Sequence, residues 1–174
     1  MNLLRNKQIA PRQDERKAGP MKKDRRATSA VEAATQHAAL CFRQDAGGLC
    51  EILLITSRET GRWVLPKGWP AKGEAGGATA LREAFEEAGV VGRLTGDCVG
   101  LFGYDKMLDA GVAKPCVVAV HGVAVERIEK KFPERAERQR EWFSPAAAAA
   151  AVAEPELKDL LAGFLPQATP QQRP

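Results

Sequence analysis

The sequence predicts one layered domain of the α/β or α+β class over residues 35–165, and three observations predict it. Six short apolar, β-compatible runs are spread along that span, and helical stretches interrupt and follow them. The composition, 44% hydrophobic and 28% charged, is globular. A chain of 174 residues supplies apolar surface for one core and hardly enough for two.

The elements follow in order. Residues 36–43 (QHAALCFR) and 50–57 (CEILLITS) read as strands, and the turn-forming Gln44-Asp45-Ala46-Gly47-Gly48 between them makes a hairpin or neighbouring pair. Residues 62–65 form a short strand halted by Pro66, and a loop runs over residues 67–73. A helix extends from about Gly76 to Ala88, with Gly89 placed as its stop. Further strands fall at residues 99–104, 116–125 and 141–143. Ser144 is a helix N-cap and Pro145 a first helical residue, opening a helix through the six alanines at 146–151. Alanine is the best helix former, so that run needs no special role. Residues 155–165 give a last helix with Leu157, Leu160, Leu161 and Phe164 at core spacing, and residues 166–174 a disordered tail.

The net charge of +4 describes an arm rather than the domain. Nine Lys and Arg stand against three Asp and Glu before Thr28, or +6, leaving −2 for everything after. Without interleaved aromatics or helical periodicity, residues 1–34 read as a disordered, solvated arm rather than a nucleic-acid tether. No apolar run is long enough to span a bilayer and the N-terminal stretch lacks a secretory pattern, so a cytoplasmic location is expected. Cys41, Cys50, Cys98 and Cys116 have no metal-site spacing and are expected to be reduced and buried. Oligomeric state is open.

The chemistry is concentrated in residues 68–90, GWPAKGEAGGATALREAFEEAGV. On a helix turning about 100° per residue, with Glu83 as origin, Glu87 falls at about 40° and Glu86 at about −60°. Leu81, Ala84, Phe85 and Ala88 fall between about 100° and 200°, which predicts a carboxylate face opposite a core face. Three carboxylates within a turn repel, and a divalent cation resolves the repulsion; hard oxygen donors suit Mg²⁺ or Mn²⁺. Glu74, in a glycine-flanked turn, can fold toward the same site. Gly68, Gly73, Gly76 and Gly77 beside Lys67 allow close approach of a pyrophosphate. The alternative is a solvated acidic face.

Gly68, five residues, Glu74, seven residues, then Arg82-Glu83-Ala84-Phe85-Glu86-Glu87-Ala88-Gly89-Val90 resembles the Nudix box, G-x5-E-x7-R-E-U-x-E-E-x-G-U, with Ala84 the one soft match. The resemblance to the Nudix hydrolase superfamily implies an α/β/α sandwich around a mixed sheet. It also implies Mg²⁺- or Mn²⁺-dependent hydrolysis of a phosphoanhydride, by water attack on phosphorus. By position in the motif it makes Glu83 and Glu87 core metal ligands, and Glu86 a further ligand or the base. Arg82 then orients the carboxylates, and Glu74 supports the loop or an extra ion; Lys67, Gly68 and Arg62 are the substrate-binding candidates. Some superfamily members carry the base outside the box, which makes Glu134 and Glu137 candidates as well.

Residues 63–70 (WVLPKGWP) with Phe132-Pro133-Glu134-Arg135 and Arg140-Glu141-Trp142-Phe143 resemble the branch around diphosphoinositol polyphosphate and diadenosine polyphosphate hydrolases. Eleven cations, Arg58, Arg62, Lys67, Lys72, Lys106, Lys114, Lys130, Lys131, Arg135, Arg138 and Arg140, either converge on a polyphosphate or stay dispersed. Trp69 and Tyr104 serve equally for base stacking or packing. His37 and His121 are read as core or edge residues without a role. The rival class is a catalytically inactive Nudix-like binding or regulatory module, against which the intact carboxylate set argues.

Overall fold

A seven-stranded mixed sheet is organised around Thr35–Gln44 (β1) in the computed structural model, which describes residues 35–107 and 113–166. The expectations for residues 1–34 and 167–174 lie outside the described residues. β1 turns back antiparallel onto Cys50–Thr56 (β2), with Phe42 opposite Ile52. The turn is fixed by Asp45, whose Oδ1 accepts the N–H groups of Gly47 and Leu49 at 2.8 Å. On its other edge β1 runs parallel to Ala113–Ile128 (β6), from Thr35 opposite Val117 to Phe42 opposite Ala124. β6 in turn pairs antiparallel with Val90–Met107 (β5). The main order is β3-β2-β1-β6-β5, where β3 is Trp63–Val64; Lys67–Gly68 (β4) joins β1 and Arg140–Phe143 (β7) joins β2.

β1 reads as a nearly continuous apolar run because both its faces are covered. Ala39 and Cys41 face Gly76–Ala88 (α1), together with Leu53, Ile55 and Val123. Ala38, Leu40 and Phe42 face Pro145–Ala151 (α2) and Pro155–Ala162 (α3), with Leu157 and Leu161 packed upon them. Each fully buried Leu or Ile contributes about 1.5–3 kcal/mol relative to exposure. Helices on both faces of a mixed sheet give the α/β/α sandwich. The Ser144 cap is as expected, its Oγ accepting the Ala147 N–H at 3.3 Å. No helix among the described residues is long and apolar enough to cross a membrane.

Four expectations are corrected. Part of the loop at residues 67–73 is a strand, because β2 pairs with β1 only from Phe42 onward. The first half of that edge is therefore left for Lys67 and Gly68, opposite Ala38 and His37. β5 starts at Val90, not near 99; register shifts at Val91/Gly92, Leu94/Cys98 and Cys98/Gly100 break the alternation that would have revealed it. α3 ends at Ala162, short of residue 165, although Phe164 remains buried. All four cysteines are free, but Cys98 is exposed and Cys50 half-buried, since the irregular part of β5 turns Cys98 outward.

Gly89 ends α1 in the left-handed region (φ 67°), and its N–H donates to the Phe85 carbonyl at 2.8 Å. A Cβ there would lie 2.6 Å from Phe132 Cδ1 and 2.9 Å from the Glu129 carbonyl. Gly89→Ala is expected to lower the unfolding free energy in urea by at least about 1–2 kcal/mol; an unchanged midpoint would contradict this account of the helix end.

Candidate active site

The helix does not present its carboxylates opposite the core. Its buried residues are Thr79, Ala80, Glu83, Ala84, Glu87 and Ala88, an arc centred close to Glu87. Phe85, placed on the core side by periodicity, is 38% exposed. The reason is steric: Ala80, Ala84 and Ala88 let the helix approach the sheet closely, and glycine leaves room for the acids. A side chain at Gly68 would occupy the Glu83 carboxylate itself. Glu83 and Glu87 are consequently 9% and 7% exposed.

Buried carboxylates require partners. Glu87 Oε2 accepts the Lys67 backbone N–H at 3.0 Å, and its Oε1 is ion-paired with Arg138 Nη2. Arg138, itself buried, also donates through Nε to Glu134 Oε2 at 2.6 Å and through Nη1 to the Thr56 carbonyl at 3.1 Å. Arg82 serves the other acids. Its Nη1 reaches Glu83 Oε1 at 2.7 Å and Glu86 Oε2 at 2.9 Å, while Nε and Nη2 grip both oxygens of Glu74 at 3.1 Å. Glu74 also accepts from the Ala71 N–H and the Thr79 hydroxyl, closing the loop. The Arg82 bonds hold the Glu74 carboxyl down at about 2. Burial raises Glu83 above the usual carboxylate range and lowers Lys67 below that of a free ammonium.

Glu83, Glu86, Glu87 and Glu134 line one cavity of about 440 Å³, along with Lys67, Gly68, Arg62, Arg58 and Arg138. Arg82 and Glu74 lie behind that wall, and Glu137 pairs with Arg58 at 3.4 Å outside it. Of the eleven cations, Arg58, Arg62, Lys67 and Arg138 come to the cavity. Lys72, Lys130, Lys131, Arg135 and Arg140 do not, and the Lys106 and Lys114 side chains lie outside the described part. Arg140 instead donates to the Ala88 and Glu129 carbonyls and covers the Phe132 ring at 4.8 Å. Of the two rings left open, Tyr104 and Trp69 both line the cavity. His37 and His121 contact each other, Nδ1 to Nε2, at 3.1 Å.

Sequence reasoning gave Arg138 no place beside Glu87, and missed Gln36, Phe102 and Glu154 on the cavity wall. The i,i+4 spacing of Glu134 and Arg138 was the available signal. The donor set suits a hard divalent cation in kind, being all carboxylate. Among the described residues, no three or more His, Cys, Asp or Glu side chains are grouped so as to hold a metal ion by themselves. Mg²⁺ needs no such group, since it takes one or two protein carboxylates and completes its shell with water and phosphate.

The NUDIX domain family matches residues 34–164 of the chain. The bovine (Bos taurus) diphosphoinositol polyphosphate phosphohydrolase 3-beta is 35% identical over 109 residues, 61% of this chain and 61% of that protein. The chain thus spans about three fifths of that relative's length. Among solved structures, a C. elegans Ap4A hydrolase binary complex superposes with a TM-score of 0.58 at 23% identity, covering 75% of this chain and 99% of that one. The E. coli dihydroneopterin triphosphate pyrophosphohydrolase does so at 0.59 and 19%, covering 75% and 94%. These superpositions share the fold.

Burial pushes the Glu87 carboxyl from its ordinary 4.5 up to about 7, against the pull of Arg138 and of the Lys67 N–H. The folded chain then holds this proton more tightly than the unfolded chain. The stability contributed by Glu87 is therefore complete below about 4.5 and is lost as the pH rises through about 7. In chelator, urea titrations across that window are expected to show this decline in the wild type and a flatter profile in Glu87→Gln. Equal slopes would assign the titration to another group.

Proposed function

The chain belongs to the Nudix family, and on that premise we propose that it is a divalent-metal-dependent hydrolase of phosphoanhydride bonds. Its substrate would be a nucleoside diphosphate-linked or polyphosphorylated small molecule of the diadenosine or diphosphoinositol polyphosphate class. One observation carries this: the carboxylates of Glu83, Glu86 and Glu87 line the same cavity as Lys67, Arg62 and the side-chain-free Gly68.

Glu83 and Glu87 are the residues to hold the ion, Mg²⁺ or Mn²⁺, with Glu86 beside them and Glu74 too committed to Arg82 and its own loop to join. When bound, the ion supplies charge neutralisation on the phosphoryl oxygens and a more acidic water. Arg82 keeps Glu83 and Glu86 together before substrate arrives, so less ordering remains for the binding step. Lys67 and Arg62 neutralise phosphoryl oxygens, and Gly68 leaves room for their approach. Water attacks one phosphorus as a carboxylate takes its proton, the bridging P–O bond breaks, and the other phosphate leaves with its electron pair. Glu86 suits that role, because its side chain is 39% exposed and it shares the Arg82 Nη1 with Glu83. Glu134, bonded to Arg138 on the same cavity, is the second candidate, and Glu137 falls away because it does not line the cavity.

Phosphate release is to be followed on diadenosine polyphosphates, diphosphoinositol polyphosphates, nucleoside di- and triphosphates, ADP-ribose and NADH, with Mg²⁺, Mn²⁺ or EDTA. Turnover on at least one, abolished by EDTA, is expected. Glu87→Gln is expected to lower kcat by about 10²–10⁴-fold with an unchanged circular dichroism spectrum. No turnover on any substrate would favour the binding-module alternative.

A further inference from the structure

Two stretches singled out in the sequence, residues 132–135 and 140–143, meet at the carbonyl end of α1. That end has no Lys or Arg in its own last turn, although its free carbonyls favour a cation. Arg140 supplies one from 52 positions away, its Nη1 donating to the Ala88 carbonyl. Nη1 and Nη2 also reach the Glu129 carbonyl at 3.3 and 3.4 Å, and the guanidinium covers the Phe132 ring. Gly89 admits this group, since a Cβ there would stand 2.9 Å from Arg140 Nη1. The main chain follows the same path: the Glu129 N–H donates to the Gly89 carbonyl at 2.8 Å, and the Glu134 N–H to the Glu86 carbonyl at 3.0 Å.

Arg140 stands two residues past Arg138, and side chains two apart on the extended approach to a strand share a side. Gln139 between them is bonded to β2 through its main chain, its N–H on Thr56 Oγ1 at 2.9 Å and its carbonyl accepting the Thr56 N–H at 3.0 Å. The two guanidinium groups therefore meet α1 at successive residues, Arg138 at the Glu87 carboxylate and Arg140 at the Ala88 carbonyl. Arg138 in turn holds Glu134. How far Arg138 and Glu134 reach into the cavity is thus set by where this segment lies along the helix.

Building on the hydrolase reading above, we infer that Arg140 is a positioning residue for the reaction: it fixes Arg138, and through it Glu134, against Glu87 at the cavity. Arg140 itself is not on the cavity wall. A displacement of about 1 Å in placed groups costs about 10²-fold in rate. A cation at a helix end, by contrast, stabilises through its charge alone. Lysine separates the two effects, because it keeps the charge but lacks the planar fork that reaches Ala88 and Glu129 together.

The test compares Arg140→Lys and Arg140→Met with wild type in the full chain, with Mg²⁺ and whichever substrate of the phosphate-release panel turns over fastest. Arg140→Lys is expected to keep a urea midpoint near that of wild type yet lower kcat about 10-fold or more, with KM changed by less than about 3-fold. Arg140→Met is expected to lower both midpoint and kcat. In an Arg138→Gln background, Arg140→Lys should reduce kcat by less than about 2-fold further, because the group it places is gone. An NMR readout needs no turnover: the Arg138 Nε–H signal, held by Glu134, should shift and exchange faster in Arg140→Lys. Should Arg140→Met fail to fold, Arg140→Lys decides alone. Wild-type kcat in Arg140→Lys, an equal loss with and without Arg138, or an unmoved Arg138 signal overturns the inference. If no substrate is hydrolysed, the hydrolase reading falls, and the Arg138 signal alone decides whether Arg140 places it.

Discussion

Two acids buried under a helix set the terms for everything around them. Glu83 and Glu87 are turned into the molecule by an alanine row that lets α1 lie close to the sheet, and Glu83 fits only because Gly68 has no side chain. Charge in such a place is tolerated when it is paired and hydrogen-bonded. Two arginines meet that demand from different parts of the chain, Arg82 from within the helix and Arg138 from the segment before β7. The loop leading into α1 is arranged around the same need, since the Lys67 N–H and the Glu74–Arg82 pair tie it to the helix.

That arrangement explains why the cavity is divided. One end is a dense alternation of acid and base, rigid because nearly every donor is committed to an acceptor. The rest of the wall is lined by Phe102 and Tyr104 of β5, Leu157 of α3, Glu154 just before it and Gln36 of β1. The Lys67 ammonium lies 5.3 Å from the centre of the Tyr104 ring.

Much of the fold could be read locally. The β1–β2 hairpin, the bounds of α1, its glycine stop and the Ser144-Pro145 helix start each depend on neighbours within a few residues. β5 could not be read that way, because its bulged, glycine-rich first half is a strand only by virtue of pairing with β6. The helix faces were read only in part for a related reason: Leu81, Ala84 and Ala88 pack on the core as expected, whereas Phe85 does not and Glu83 and Glu87 are buried beside them. Periodicity locates an apolar side by hydrophobicity, and here small residues, not large ones, mark the side that packs.

The amino-acid order by itself determined the spacing of Arg82, Glu83, Glu86 and Glu87, since local helix geometry brings them within one or two turns of each other, with Glu74 in the turn before that helix. Only tertiary structure decided that two of them are buried, that Arg138 is the partner of Glu87 across 51 positions of chain, and that few of the surface cations reach the cavity. The physical reason is the range of the forces. Helix periodicity and capping act over a turn, whereas burial, ion pairing and cavity shape are properties of segments that meet only once the sheet has formed.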